Sequence, residues 1–225
     1  MTLQTNWSNY PKFVCKFNLV ALIKHSGSNT LKINQIIDTA QKHFGLYGFE
    51  KTTMRGIALD LNVSKASLYY YFPDKEHLYK AIVLKENDLF ILALQNEIHL
   101  ATDSTDALKR YVRIRTNLFR TLINLNRSRL EAIIGISSFM KTTNADLRTQ
   151  EKEIIKGIFS DGIKTGLFNL SALDESADLF LELLKGLRMS ILKDMTFYYL
   201  ETTEYDLLVK RTMQFVDIFT KGIKL

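Results

Sequence analysis

The chain has 225 residues, 46% hydrophobic and 24% charged, with a net charge of +6, an ordinary globular composition that excludes a disordered or fibrous chain. Its 10 Gly and 2 Pro, against roughly 27 at average usage, leave too few tight turns for a many-stranded β protein, so an all-α fold is expected. The single cysteine, Cys15, excludes an internal disulfide and cannot alone form a Cys-type zinc site, which fits a reducing, cytoplasmic compartment.

No stretch approaches the 18 to 20 uncharged apolar residues of a membrane span. Residues 12–23, KFVCKFNLVALI, are basic and then apolar. They lack the features of a signal peptide, because a polar segment precedes them, Lys16 and Asn18 interrupt them, and no small-residue cleavage site follows. The N-x-S matches at Asn6, Asn62 and Asn169 are then chance hits. Residues 1–30 read as an N-terminal arm, either a poorly ordered tail or a short helix over 12–23 docked by Phe13, Phe17 and Val20. The polar stretch KHSGSNTL over 24–31 reads as a linker.

Charge is uneven. Residues 1–80 hold ten Lys/Arg and five Asp/Glu, giving +5, whereas residues 81–225 hold twenty and nineteen, giving +1. A basic module followed by a near-neutral one is consistent with contact to nucleic acid, and equally with a solvated surface.

From Lys32 onward, Ile33, Ile36, Ile37, Ala40, Phe44 and Tyr47 recur at the spacing of one helix face, and Gly48 stands where a left-handed C-terminal cap belongs. Thr52 and Thr53 offer N-caps to a short helix with Met54, Ile57, Ala58 and Leu61 on its buried face. Asn62 tolerates the positive φ of a sharp turn, Val63 would plug that turn into the core, and Ser64 would cap a second short helix. Two short helices joined by a tight turn have the arithmetic of a helix-turn-helix. In the second, Leu68 and Phe72 would be buried, leaving Lys65, Ala66, Ser67, Tyr69 and Tyr70 outside or at the margin. Lysine, hydroxyls and an exposed helix N-terminus suit phosphate oxygens, and a small Ala permits close approach to a thymine methyl. The three consecutive tyrosines suit a groove wall, and would equally pack half into a small core.

Residues 33–83, with HFGLYGFEKTTMRGIA followed by VSKASLYYYFPDKEHLY, resemble the N-terminal domain of the TetR/AcrR family of transcriptional regulators. The resemblance implies a phosphate anchor at Thr53, base-edge or phosphate contacts by Arg55 and Lys65, and groove positions for Ala66 and Ser67. It further implies DNA contact by Tyr69 and Tyr71 and a phosphate clamp at Lys75. The family usually has Gly where Ala66 and Asn62 stand, Ala where Leu61 stands, and often an acidic residue at Gly56. Ala is still small and Asn still turns; Gly56 loses a capping contact and weakens a helix start by about 1 kcal/mol. The leader is longer than usual in the family, and reads as a start-site artefact or as an arm reaching DNA with Lys12, Lys16 and Lys24.

After Pro73, Asp74 caps a long helix carrying Leu78, Ala81, Ile82, Leu89, Leu92 and Ala93, expected to end near Leu100. Further helices are expected over 104–125, 127–141, 145–165, 174–197 and 203–222, with breaks at ATDS, KTTN and KTGLFNLS. Such helices pack as a bundle, and bundles build ligand cavities. Leu179, Leu183, Leu187 and Ile191, with Phe180, Leu184 and Met195 beside them, make an apolar surface wider than one packing face. Leu207, Leu208, Met213, Phe215, Val216 and Phe219 repeat that excess. The width suits a four-helix homodimer seam, as the resemblance also implies, or burial within one bundle. Phe119, Phe139, Met140, Phe159 and Met189, together with Phe168 and Phe197, are candidates for an apolar effector pocket or for ordinary core.

Enzymatic motifs are lacking: there is no phosphate-binding or dinucleotide glycine loop, no nucleophile elbow and no H-E-x-x-H. His25, His43, His77 and His99 lack metal-ligand spacing. No cofactor is expected. The expected organisation is an arm (1–30), a helix-turn-helix domain (31–76) and a helical effector-binding and dimerisation domain (77–225). The expected function is repression from a double-stranded operator, relieved by a small apolar or amphipathic effector. The alternative is a factor of the same build without an effector, acting architecturally or under a protein partner.

Overall fold

The computed structural model describes residues 27–125, 137–192 and 202–224. Their helices are α1 (Gly27–Lys51), α2 (Met54–Asp60), α3 (Lys65–Tyr71), α4 (Lys75–His99), α5 (Ser104–Leu125), α6 (Ser137–Lys164), α7 (Leu173–Leu192) and α8 (Thr202–Ile223). Among the described residues the only β pairing is an isolated bridge between Phe168 and Lys224. The 12–23 helix, most of the 1–30 arm and most of the 127–141 helix lie outside the described residues.

Two expected breaks are helical instead. Residues 27–31, read as linker, open α1, because Ser, Asn and Thr are well tolerated in a first turn whose N–H groups have no helical partner. KTTN, 141–144, lies inside α6; Thr and Asn carry only a modest helix penalty, which packing overrides.

The chain divides into two compact units, residues 27–89 falling in one and 90–122, 145–192 and 202–224 in the other. In the first unit, Ile33, Ile36, Ile37, Ala40 and Phe44 are buried as expected, but Tyr47 is exposed. The cause is Gly48, whose φ of 78° and ψ of 172° kink α1; the residue that then turns inward is Phe49. Phe49 stacks on Phe44 at 5.7 Å, and Tyr79 of α4 meets both rings edge-on at 5.1 and 5.3 Å. The buried Thr52 hydroxyl holds the kink, donating to Gly48 O at 2.6 Å and to His43 O at 3.1 Å. Ion pairs Lys85–Asp38 and His43–Asp60, both 2.7 Å, tie α1 to α4 and to the end of α2.

The second unit is a bundle of α5, α7, α8 and the described parts of α4 and α6 that fall in it. On α4 its buried residues are Phe90, Ile91, Leu94 and Ile98, while Leu89 and Leu92 are exposed. The expected stripe therefore holds only as far as Ile82, since the later turns of α4 bury a different set of positions. An aromatic cluster of Phe159, Phe168, Phe180, Phe215 and Phe219 occupies the core, with ring centroids 5.1–6.4 Å apart. After α6, Gly166 adopts φ 70°, and Leu167 N–H and Gly166 N–H donate back to Gly162 O and Ile163 O, the paired bonds of a Schellman ending.

Candidate nucleic-acid interface

Local chemistry shapes the turn between α2 and α3. Thr53 takes extended φ/ψ and its hydroxyl accepts from Gly56 N–H at 3.1 Å, capping α2. Gly56 supplies the backbone donor of this cap but no side-chain acceptor, and a Cβ there would crowd Thr53 Oγ1 at 3.3 Å and His43 Cε1 at 3.5 Å. At the other end Asn62 has φ 54°, with Asn62 N–H donating to Leu59 O and Val63 N–H to Ala58 O, a Schellman ending with Asn in the left-handed position. Val63 does not plug the core. It is exposed, because in this motif its amide, rather than its side chain, makes the closing contact.

Ser64 caps α3, its hydroxyl accepting from Ser67 N–H at 3.0 Å and lying 2.8 Å from Ser67 Oγ. Leu68, fully buried, and Phe72 anchor the helix. All the remaining residues from Ser64 to Tyr70 are exposed, so Lys65, Ala66, Ser67, Tyr69 and Tyr70 form one outward surface. Lys65 Nζ sits 5.4 Å from the centre of the Tyr69 ring, an i, i+4 cation–π pair. Tyr70 is 66% exposed; Tyr71 is half-buried, packs against the core and meets Tyr70 edge-on. Thr53 and Arg55 are exposed as well. Lys75 differs: its ammonium donates to Phe49 O at 2.7 Å and Glu50 O at 3.4 Å and lies 4.3 Å over the Phe49 ring. Asp74 caps α4 through His77 N–H at 2.8 Å. Slight burial works to raise its carboxyl, but the hydrogen bonds and charge of His77 hold it below the usual range.

Residues 36–82 match the family model for bacterial regulatory proteins of the tetR family. The crystal structure of a transcriptional regulator from Cytophaga hutchinsonii superposes with a TM-score of 0.75 at 37% identity, covering 86% of this chain and 99% of that one. The chain belongs to the TetR family. It is accordingly a DNA-binding transcriptional regulator and not an enzyme. It is also 28% identical over 132 residues to the negative regulator of the biofilm operon icaADBC from Staphylococcus epidermidis, covering 58% of this chain and 67% of the relative. A Saccharomonospora viridis structure in complex with choline shares the fold at 20% identity, with a TM-score of 0.65 over 87% of this chain and 99% of that one.

In the bundle of this TetR-family chain two of the expected pocket residues, Phe159 and Phe168, are buried with ring centroids 6.4 Å apart. Phe159 is fully buried in the aromatic cluster and Met189 is 57% exposed; Phe119, Phe139, Met140 and Phe197 lie outside the described side chains. A small cavity of about 20 Å³ lies elsewhere, with Val112, Leu184 and Leu208 as apolar walls and Arg115, Arg188, Thr116 and Thr212 as polar ones. Beside it is a buried polar cluster that sequence reasoning missed. Glu151 Oε1 accepts from Tyr111 O–H at 2.6 Å and from Arg115 Nε at 2.6 Å, and Arg115 Nη2 reaches Oε2 at 3.4 Å. Burial raises the Tyr111 phenol well above its ordinary value, and the Glu151 charge adds to that. Burial works to lower Arg115, but Tyr111 and Glu151 hold it above the usual guanidinium range. The available signal was Glu151 on the buried stripe of Ile154, Ile155 and Ile158, opposite the i, i+4 pair Tyr111 and Arg115. Among the described residues no group of His, Cys, Asp and Glu could hold a metal, and no helix is long and apolar enough to cross a membrane.

Proposed function

We propose that this protein is a homodimeric repressor, acting in the cytoplasm, whose two copies of α3 enter successive major grooves of an operator. Residues 31–76 would form the reading head and 77–225 the effector and dimerisation part. The observation carrying the reading is the outward face of α3: Leu68 and Phe72 anchor it, Tyr71 packs partly against the core, and hydroxyls, an amine and aromatic rings face out. Thr53 and Arg55 extend that surface to the start of α2, and Tyr71 supports it at its margin. Lys75 would reach phosphate with the ammonium donor left over after its two carbonyl contacts.

One short helix gives few base contacts, whereas two on a two-fold axis read half-sites about one turn of DNA apart. The exposed Leu179, Leu183 and Leu207 on α7 and α8 supply the apolar surface for that pairing, since their neighbours Phe180, Leu184 and Leu208 already fill the protomer's own core. A ligand in the bundle and DNA on α3 would prefer different spacings of the two heads, so each weakens the other by the same coupling free energy. The test is fluorescence anisotropy with the DNA upstream of its own gene. Steep weakening with salt, about 0.9 log unit per log unit for each phosphate contacted, supports the reading; a flat response overturns it. The smallness of the cavity favours a second reading, a regulator of the same build controlled by a protein partner, which calorimetry with small molecules would separate.

A further inference from the structure

We propose that Tyr69 is a positioning residue: the face of its ring holds the ammonium of Lys65 where it meets an operator phosphate, so the two side chains bind DNA as one unit. The inference rests on the reading that α3 faces the duplex, and deepens it by giving Tyr69 a role exerted through Lys65.

The three consecutive tyrosines of α3 have different surroundings. Tyr71 is half-buried and packs against the core, and Tyr70 meets it edge-on with ring centroids 5.2 Å apart. Tyr69 is set apart from that pair: the group over its ring is the Lys65 ammonium, 5.4 Å from the centroid. Both residues are exposed and stand one helical turn apart, the spacing at which side chains on a helix surface meet. Lys65 opens α3, whose first turn holds no acidic residue, so within that turn no carboxylate competes with the ring for the ammonium.

An exposed lysine samples many rotamers of its four-carbon stem, and fixing one of them at a phosphate costs entropy. A ring face within about 6 Å attracts the cation, modestly at an exposed site. Such a contact adds little to the fold; its effect is to bias the stem before DNA arrives. A group that occupies its binding-competent conformation only part of the time binds more weakly by that fraction, and the ring raises the fraction. Because the ring face attracts the charge without accepting a conventional hydrogen bond, the N–H donors of the ammonium stay available to phosphate oxygens. A compact point charge suits phosphate, whereas the bidentate edge of a base favours a planar fork.

The experiment is fluorescence anisotropy of the full chain, on the upstream DNA and on an unrelated duplex, with Lys65→Ala, Tyr69→Leu, Tyr69→Phe and the combined Lys65→Ala/Tyr69→Leu variant. Leucine keeps apolar bulk without the ring face, and phenylalanine keeps the face without the hydroxyl. Tyr69→Leu should weaken binding about two- to fivefold, the factor matching an exposed cation–π pair, while Tyr69→Phe stays near the parent. Once Lys65 is alanine, Tyr69→Leu should cost nothing more, and Lys65→Ala should weaken both duplexes by the same factor, since phosphate is common to both. Additive losses in the combined variant, a Tyr69→Phe as weak as Tyr69→Leu, or a Lys65→Ala loss confined to the upstream DNA would overturn the proposal. The unaltered protein gives an independent readout by NMR with isotope-labelled lysine: the Lys65 side-chain protons should be shifted upfield by the ring current, a shift kept in Tyr69→Phe and lost in Tyr69→Leu. Operator binding with no such shift sinks this proposal alone, whereas a shift without any DNA binding sinks the functional reading and this role of Tyr69 with it.

Discussion

The ammonium of Lys75 lies 2.7 Å from the carbonyl oxygen of Phe49 and 4.3 Å over its ring. It thereby joins the start of α4 to the last turn of α1, just past the Gly48 kink. Carbonyls at a helix end lack intrahelical partners, and a cation there also meets the negative end of the helix dipole. Lys75→Met should lower stability by roughly 1–2 kcal/mol, measured by urea denaturation, and lower operator affinity partly through that loosening. Full wild-type stability in the variant would return Lys75 to a purely DNA-facing role.

Ser64→Ala removes the cap of α3. The expected loss is about 1 kcal/mol, with faster amide exchange at Ser67, whose N–H loses its acceptor. Ser64→Asp should restore the cap but repel phosphate, so its stability and its DNA affinity should move in opposite directions.

Lys65→Ala and Tyr69→Ala act on an exposed surface. Each should leave the thermal melt within about 0.5 kcal/mol of the parent while weakening operator binding, and Lys65→Ala should reduce the salt slope by about one. A large drop in the melt would assign these side chains to the core.

Gly162 is a packing requirement in α6. A Cβ there would lie 2.1 Å from Phe168 Cδ2, inside the aromatic cluster, so Gly162→Ala should cost roughly 1–3 kcal/mol or more through overpacking, despite alanine's better helix propensity. Gly166→Ala meets no neighbour and pays only for its positive φ, about 1 kcal/mol. Chemical denaturation of the two variants should rank them in that order.

The Tyr111 phenol has a folded-state pKa raised above its ordinary value of about 10. Its contribution is therefore complete below that value and is lost as pH rises toward the folded-state pKa, because the unfolded chain releases the proton first. Absorbance at 295 nm should show one tyrosine that ionises only with unfolding. Tyr111→Phe should abolish that late step, flatten the alkaline fall in Tm, and cost about 2 kcal/mol at neutral pH through the lost hydrogen bond to Glu151.

Residue types and spacings alone determined the reading head. The caps at Thr53 and Ser64, the left-handed Asn62, the positive φ of Gly48 and the anchors Leu68 and Phe72 are legible because each depends on atoms within a few positions along the chain. The family likeness over 33–83 draws on the same short-range features.

Tertiary structure decided which neighbour each face meets. Periodicity placed Leu179 beside Phe180 and Leu183 beside Leu184, yet only packing shows that the second of each pair is buried while the first is bare. It also turned Tyr47, Val63, Leu89 and Leu92 outward. Lys75 finds carbonyls 26 and 25 positions away, and Arg115 finds its carboxylate 36 away. Helical spacing specifies a direction around an axis; it carries no information on what another helix presents there, and that pairing sets both the buried charge cluster and the cavity beside it.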